Sequence, residues 1–393
     1  MNYPRKLLPI LQKQIDSREI IVVTGMRRVG KTTLLQMLFN EIESENKVFL
    51  DLENPIEQKI FEEKNYHNIW SNLREYGISP EKKAYLFLDE IQAMPEIVKA
   101  IKYLYDHDNV KFFCTGSSSF YLKNLFPESL AGRKFIFELY PLDFEEFLVF
   151  KSQPRDFYHS FAEKETNKSL VRHEKVKGLY EEYLNYGGFP GVVREKDSRK
   201  KKLKLNDIFK SYFEKDVRNL ADFREINAFR DLILLLMQRV GSKLDITKLS
   251  SEISVSRETV YSYLSFLEGT YFISLISPYT LSVDREVSGT KKVYFCDSGL
   301  LNHLSQLTPG HLFENSVFNS LRKYGHINYY QKRSGAEIDF IINKDIALEV
   351  KTKGTLRDLR KLKKISQSLN LSEHYLISKD FVGEKGFLPA TEL

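Results

Sequence analysis

The feature that most constrains this chain is the stretch Gly25-Met26-Arg27-Arg28-Val29-Gly30-Lys31-Thr32, set between an apolar run, Ile20 to Thr24, and a helix-like segment, Thr32 to Glu43. A turn of this spacing, leaving a strand and opening a helix, points its backbone N–H groups at phosphate oxygens. Its glycines let the chain curl tightly, Lys31 is placed to reach the β and γ phosphates of ATP, and the Thr32 hydroxyl is placed to ligate magnesium. Gly25, Gly30, Lys31, Thr32 and the adjoining Thr33 are therefore the candidate nucleotide-binding residues.

The sequence around that turn has the rhythm such a cradle needs. Short β-branched and aromatic runs at 20–24, 48–52, 85–88, 111–115 and 135–139 alternate with helix-like stretches, which predicts an α/β domain with a buried parallel sheet. The third run, Ala84-Tyr85-Leu86-Phe87-Leu88, ends in Asp89-Glu90. Asp89 is positioned to hold the magnesium and Glu90 to accept a proton from an attacking water. The fourth ends in Thr115-Gly116-Ser117, so Thr115 or Ser117 meets the γ-phosphate if this strand lies between the other two. Ala131-Gly132-Arg133 puts an arginine just before the fifth, a candidate for transition-state charge, although a surface arginine fits the same pattern.

At 393 residues, 42% of them apolar, the chain exceeds one ordinary hydrophobic core. We divide it into a core over 1–150, a helical lid and linker over 151–225, a winged-helix segment over 226–285 and a mixed α/β domain over 286–393. Helix, then Asp245 to Glu252, then Val255 to Glu268, then an extended Tyr271 to Ser277 is the spacing behind the third assignment. The two cysteines, Cys114 and Cys296, lie in apolar stretches and suggest neither disulfide nor zinc, which fits a reducing cytoplasm. No apolar run approaches a bilayer-spanning length, so no membrane partner is expected. A net charge of +6 does not by itself separate a DNA-binding chain from an ordinary basic one.

Near the C-terminal end, Glu337-Ile338-Asp339-Phe340-Ile341-Ile342 and Ile346-Ala347-Leu348-Glu349-Val350-Lys351 alternate with a period of two. If Asn343-Lys344-Asp345 is a three-residue hairpin loop, Asp339 falls opposite Glu349, side chains about 5 Å apart. Two carboxylates that share a divalent ion, with Lys351 beside them, make a phosphodiesterase site, and Glu314 on a preceding helix is a third candidate. The solvent face of an ordinary hairpin shows the same alternation. Lys353, Arg357, Arg360, Lys361, Lys363 and Lys364 follow directly, as phosphate-backbone contact requires, or as a solvated helix would read.

Taken in order, Gly25 to Thr32, Asp89-Glu90, Thr115-Gly116-Ser117, Leu130-Ala131-Gly132-Arg133 and Gly187-Gly188-Phe189-Pro190 resemble the AAA-type ATP-binding proteins of bacteria and archaea. The resemblance implies a P-loop ATPase sheet, a winged helix after it, and a C-terminal domain similar to the PD-(D/E)xK restriction-endonuclease fold, which Phe313-Glu314-Asn315 and Ser334 to Phe340 support. The nuclease pattern then maps to Glu314, Asp339, Glu349 and Lys351, with Asp339 and Glu349 as metal ligands. Its implied cofactors are ATP and magnesium, and its implied partner is DNA. A homo-oligomer completed by Arg133 and a protein partner stay open. The candidate recognition helix, with Arg257 beside Glu258, is poorly charged for reading DNA.

Overall fold

The computed structural model describes residues 3–116, 132–217, 226–280, 282–332 and 335–393. The chain folds as two compact units, one formed by residues 1–140 with 269–271, the other by 141–268 with 272–393.

The first unit is built on five parallel strands: β1 (Ile20–Thr24), β2 (Lys47–Asp51), β3 (Ala84–Asp89), β4 (Val110–Gly116) and β5 (Lys134–Glu138). Their order across the sheet is β2-β3-β4-β1-β5. Strands β1 and β4 are buried at every position, which is why they read as apolar runs, broken in β4 only by the buried Lys111 and Thr115, instead of alternating ones. Helix α1 (Lys31–Glu41) follows β1 directly, and α2 (Ile97–His107) buries Ile97, Ile101 and Leu104 at helical spacing. Stacked rings of Phe87 and Phe113, with centroids 4.6 Å apart, fill one layer of the core.

The second unit begins at Pro141, ten residues earlier than the expected boundary at 150. The reason is aromatic packing: Phe144 and Phe147 are buried and meet Tyr180 and Tyr183 of α3 (Leu170–Tyr186) at 4.9 and 5.3 Å. Helix α3 stops at Gly187, whose φ of 74° favours glycine. A Cβ there would overlap the Asp297 carboxylate, which accepts from Gly188 N at 2.6 Å and from Leu300 N at 2.8 Å. The Gly187-Gly188 turn thus clasps the residue that caps α7 (Ser298–Leu304).

Three helices, α4 (Ile226–Met237), α5 (Ile246–Glu252) and α6 (Arg257–Gly269), precede an antiparallel pair, β6 (Ile273–Ile276) and β7 (Lys292–Phe295). The second strand of this pair lies beyond the expected limit at 285. After α7 and α8 (Pro309–Leu321) comes a five-stranded mixed sheet: β8 (Ile327–Gln331), β9 (Glu337–Ile342), β10 (Ile346–Lys351), β11 (Glu373–Ser378) and β12 (Phe387–Pro389). Its order is β12-β11-β10-β9-β8, and α9 (Leu356–Ser368) connects β10 to its parallel neighbour β11. Tyr329 N on β8 donates to Ser277 O at 3.1 Å, so the chain leaving β6 joins this sheet. For that reason the lid, three-helix and C-terminal segments share one compact unit.

Candidate functional site

At the end of β1, Gly25 has a φ of 153°, and a Cβ on it would overlap the backbone oxygen of Leu139, so no other residue fits without moving the strand end. Arg28 and Gly30 also take positive φ, 66° and 98°, and Gly30 opens α1. The predicted curl is therefore present. Lys31 is 4% exposed and folds back on the loop, its Nζ donating to Gly25 O at 2.9 Å and Met26 O at 3.1 Å. Thr32 is half-buried and Thr33 exposed at the start of α1.

Strand β4 lies between β1 and β3, the condition set for its threonine. Asp89, at the end of β3, is 5% exposed. Thr115 Oγ1 donates to its carboxylate and accepts from Glu90 N at 2.9 Å. Burial raises the Asp89 pKa, against the lowering effect of hydrogen bonds from Thr115 and Thr32. Three adjacent strand ends thus bring Thr32, Asp89, Glu90 and Thr115 into one cluster. Thr115 holds the two carboxylate residues in place with its hydroxyl. Ser117 lies outside the described residues. Glu90 sits at a φ of 52° and accepts from Gln92 Nε2. Hydroxyl and carboxylate oxygens are the donors a magnesium ion takes, so this set fits that ion.

Arg133 is not part of this cluster. It precedes β5, where Lys134 pairs with Ile20 at the start of β1, whereas the P-loop leaves the other end of β1. Five residues of strand separate the two edges, roughly 16 Å. There Arg133 pairs with Asp106 at 3.3 Å. Sequence reasoning missed Arg5, 6% exposed, which donates to Val29 O at 2.8 Å and Tyr140 O at 2.7 Å and so ties the P-loop to the end of β5. No local pattern marks it.

The second cluster is on the mixed sheet. Ile346 pairs with Ile342, Ala347 with Ile341 and Leu348 with Phe340, the register expected from a loop at 343–345. Asn343 and Lys344 make that turn with φ of 50° and 61°. Asp339 and Glu349 are 7% and 8% exposed, so they are buried, unlike the solvent face of an ordinary hairpin. Asp339 Oδ2 accepts from Val350 N at 2.8 Å, and Glu349 Oε1 pairs with Lys351 at 2.7 Å. Glu349 Oε2 is buried with no hydrogen-bond partner among the described residues. Glu314 on α8 joins them and accepts from Tyr294 OH on β7 at 2.7 Å. Gly241 is pressed against it: a Cβ would lie 2.6 Å from Glu314 Oε1.

Burial first, then repulsion from Asp339, pushes Glu314 and Glu349 up to about 7, and burial raises Asp339 as well. Lys292 on β7, 3% exposed and 2.9 Å from Glu337, was not anticipated. Burial opposes its charge, but Glu314, Asp339 and Glu337 outweigh that and raise its pKa. Its one visible trace in the sequence is the alternation Lys292-Val293-Tyr294. A buried oxygen-donor set with a bare Glu349 Oε2 fits a hard divalent cation. On α9, Arg357, Arg360, Lys361, Lys363 and Lys364 are exposed, while Leu362, Ile365 and Ser366 are buried.

Comparison with known proteins matches different stretches of the chain to different families. Residues 17–148 match the family model described as an AAA domain. The first unit has an AAA-type P-loop ATPase fold. Residues 177–311 and 309–381 match two models described as domains of unknown function. An uncharacterized protein of Methanocaldococcus jannaschii is 29% identical over 382 residues, 92% of this chain and 82% of its own. One from Haemophilus influenzae is 28% identical over 356 residues, 87% of this chain and 83% of its own. Among solved structures, the Aeropyrum pernix ORC1 protein in complex with DNA aligns at a TM-score of 0.33 and 12% identity, over 78% of this chain and 93% of that one. AMPPCP-bound DnaA from Aquifex aeolicus aligns at 0.27 and 15%, over 67% and 86%. Both cysteines are buried and neither is in a disulfide, and among the described residues no helix is long and apolar enough to cross a membrane.

Proposed function

We propose that this chain is a magnesium-dependent ATPase of the AAA type, cytoplasmic, whose turnover controls how its second unit engages DNA. The observation that carries the ATPase reading is the cluster at the ends of β1, β3 and β4: Thr115 bonded to both Asp89 and Glu90 N, beside a buried Lys31 folded onto the P-loop backbone. Backbone N–H groups of 25–32 cradle the phosphates, and Lys31 exchanges its two carbonyl acceptors for the β and γ oxygens. Thr32 and Asp89 hold magnesium, which when bound neutralises phosphate charge. Glu90 takes the proton of the attacking water.

In the second unit, Asp339 and Glu349 hold a divalent ion, Lys351 stabilises charge on a scissile phosphodiester, and the exposed basic residues of α9 contact the phosphate backbone. This reading treats the unit as a PD-(D/E)xK-like nuclease domain fused to a winged helix formed by α4–α6 and β6–β7. The exposed residues of α6 include Arg257 against Glu258 and Glu268, so DNA contact is assigned to α9. A second reading, an ATP-controlled DNA- or protein-binding switch with a silent nuclease fold, is favoured by one observation. Glu314, Glu337, Asp339 and Glu349 each already have a partner within the protein.

Supercoiled-plasmid cleavage with magnesium or manganese separates the two. Nicking lost in Asp339→Ala supports the nuclease, and its loss in Lys31→Ala shows that ATP gates it. No cleavage by the wild type under any condition moves the assignment to the switch. Arg133 stands outside its own chain's cluster, so its role in turnover would be in a neighbouring copy. An Arg133→Ala variant that binds ATP but does not hydrolyse it supports a homo-oligomer. Unchanged turnover leaves it as the partner of Asp106.

A further inference from the structure

The carboxylate cluster of the second unit contains a cation that the nuclease pattern does not call for. Lys292 is 3% exposed, and its ammonium lies on Glu337 Oε1 at 2.9 Å within the field of Glu314 and Asp339. It does not come from the mixed sheet. It comes from β7, whose antiparallel partner β6 follows directly on the three helices α4–α6. The same strand sends Tyr294 OH to Glu314 at 2.7 Å, and Lys243, between α4 and α5, bridges to Lys292 across the backbone. One hairpin strand therefore occupies two of the four carboxylates, Glu314 and Glu337, while Val350 N and Lys351 occupy the other two. In this arrangement, among the described residues, no three carboxylate, histidine or cysteine side chains converge to cage an ion.

We propose that Lys292 is a built-in counter-cation that holds the Glu314–Asp339–Glu349 site closed to divalent metal, and that withdrawal of β7 opens it. A buried ammonium among three carboxylates supplies the charge compensation that a divalent cation would otherwise supply. Two such cations cannot share the space without strong repulsion. Glu349 Oε2 is buried without a hydrogen-bond partner among the described residues, so it is an oxygen ready to take a metal once the ammonium departs. Because β7 belongs to the helical segment by pairing and to the metal site by side chain, a partner that shifts the three helices acts on the site through this strand. The proposal rests on Asp339 and Glu349 being divalent-ion ligands, and its test separates the two claims.

The experiment is calorimetric titration of manganese(II) chloride into the nucleotide-free full chain, comparing the wild type with Lys292→Met, Lys292→Arg and Lys292→Met/Asp339→Asn. Circular dichroism confirms that each variant is folded. The expected result is at least about tenfold tighter manganese binding by Lys292→Met, wild-type affinity in Lys292→Arg, and loss of the gain in the double variant. Equal affinity in wild type and Lys292→Met, lost in the double variant, overturns the closing role of Lys292 and leaves the metal site standing. Binding by the double variant as tight as by Lys292→Met, or no binding by any variant, overturns the metal-site reading and the proposal with it. If Lys292→Met does not fold, Lys292→Gln is read against the same criteria. If neither neutral variant folds while Lys292→Arg does, Lys292 is a structural cation and the proposal fails.

Discussion

Replacing Thr115 by valine keeps the shape of a fully buried side chain and removes one hydroxyl. That hydroxyl donates to the Asp89 carboxylate and accepts from Glu90 N at 2.9 Å. Both partners are then left without it inside a packed strand end, and a lost bond to a charged group together with an unsatisfied N–H costs about 2–4 kcal/mol of stability in the first unit. The effect on turnover follows from the same bonds. Asp89 is already raised by burial, and the Thr115 bond is the larger of the two hydrogen bonds that hold it down. Without it the carboxyl holds a proton to higher pH, so magnesium competes with protonation over a wider range. The expected result is a fall in kcat of about 10- to 100-fold, equivalent to 1.4–2.7 kcal/mol, a higher magnesium requirement, and an acid limb of the pH–rate profile displaced upward. Phosphate release measured against magnesium concentration at several pH values reads all three, and Thr115→Ser restores them. A Thr115→Val enzyme with wild-type magnesium dependence and pH profile refutes the reasoning, whatever its stability.

Other expectations follow from single contacts. Gly25→Ala drives a Cβ into the Leu139 carbonyl and should abolish binding of a fluorescent ATP analogue. Gly187→Ala collides with Asp297 and should destabilise the second unit by more than about 3 kcal/mol in denaturant unfolding. In metal-free protein, Glu314 and Glu349 are raised from 4.5 to about 7. Their contribution to stability is present below 4.5 and is lost as pH rises through about 7. The unfolding midpoint of the second unit should therefore fall across that window, and Glu314→Gln should flatten the slope. Neutralising Arg360, Lys361 and Lys364 together should weaken DNA binding across all sequences. In a fluorescence anisotropy titration the salt slope should shrink by roughly 0.9 for every phosphate that these side chains no longer neutralise.

The parts of the molecule readable from sequence were those whose geometry is local. The P-loop is a turn between neighbouring elements, and the Asp339–Glu349 face follows from a period of two and a loop of three residues, so the register through Leu348 and Phe340 could be stated in advance. What escaped depends on contacts between distant segments. Lys292 meets Glu337 across 45 residues, and Arg5 reaches Tyr140 across 135. Neither has a neighbour in sequence that hints at its partner. Thr115 or Ser117 was expected beside the phosphate because the strand lies in the middle; that Thr115 also bonds Asp89 and Glu90 N was not legible, because those partners come from a strand end 26 and 25 residues away in sequence. Arg133 was placed near the chemistry on the strength of its motif, although a residue that precedes a parallel strand sits on the sheet edge opposite a loop that follows one. The first compact unit ends at Tyr140, short of 150, because Phe144 and Phe147 take their packing partners from α3, which follows them.

The central claim is that the β1, β3 and β4 strand ends form a magnesium-dependent ATPase centre. Steady-state phosphate release from ATP by the purified chain, with magnesium and with EDTA, wild type against Lys31→Ala and Glu90→Gln, tests it most directly. Release should require magnesium, be absent in Lys31→Ala, and be lost in Glu90→Gln while ATP binding persists. Equal release by wild type and Lys31→Ala, or a wild type that neither binds nor hydrolyses ATP, contradicts it.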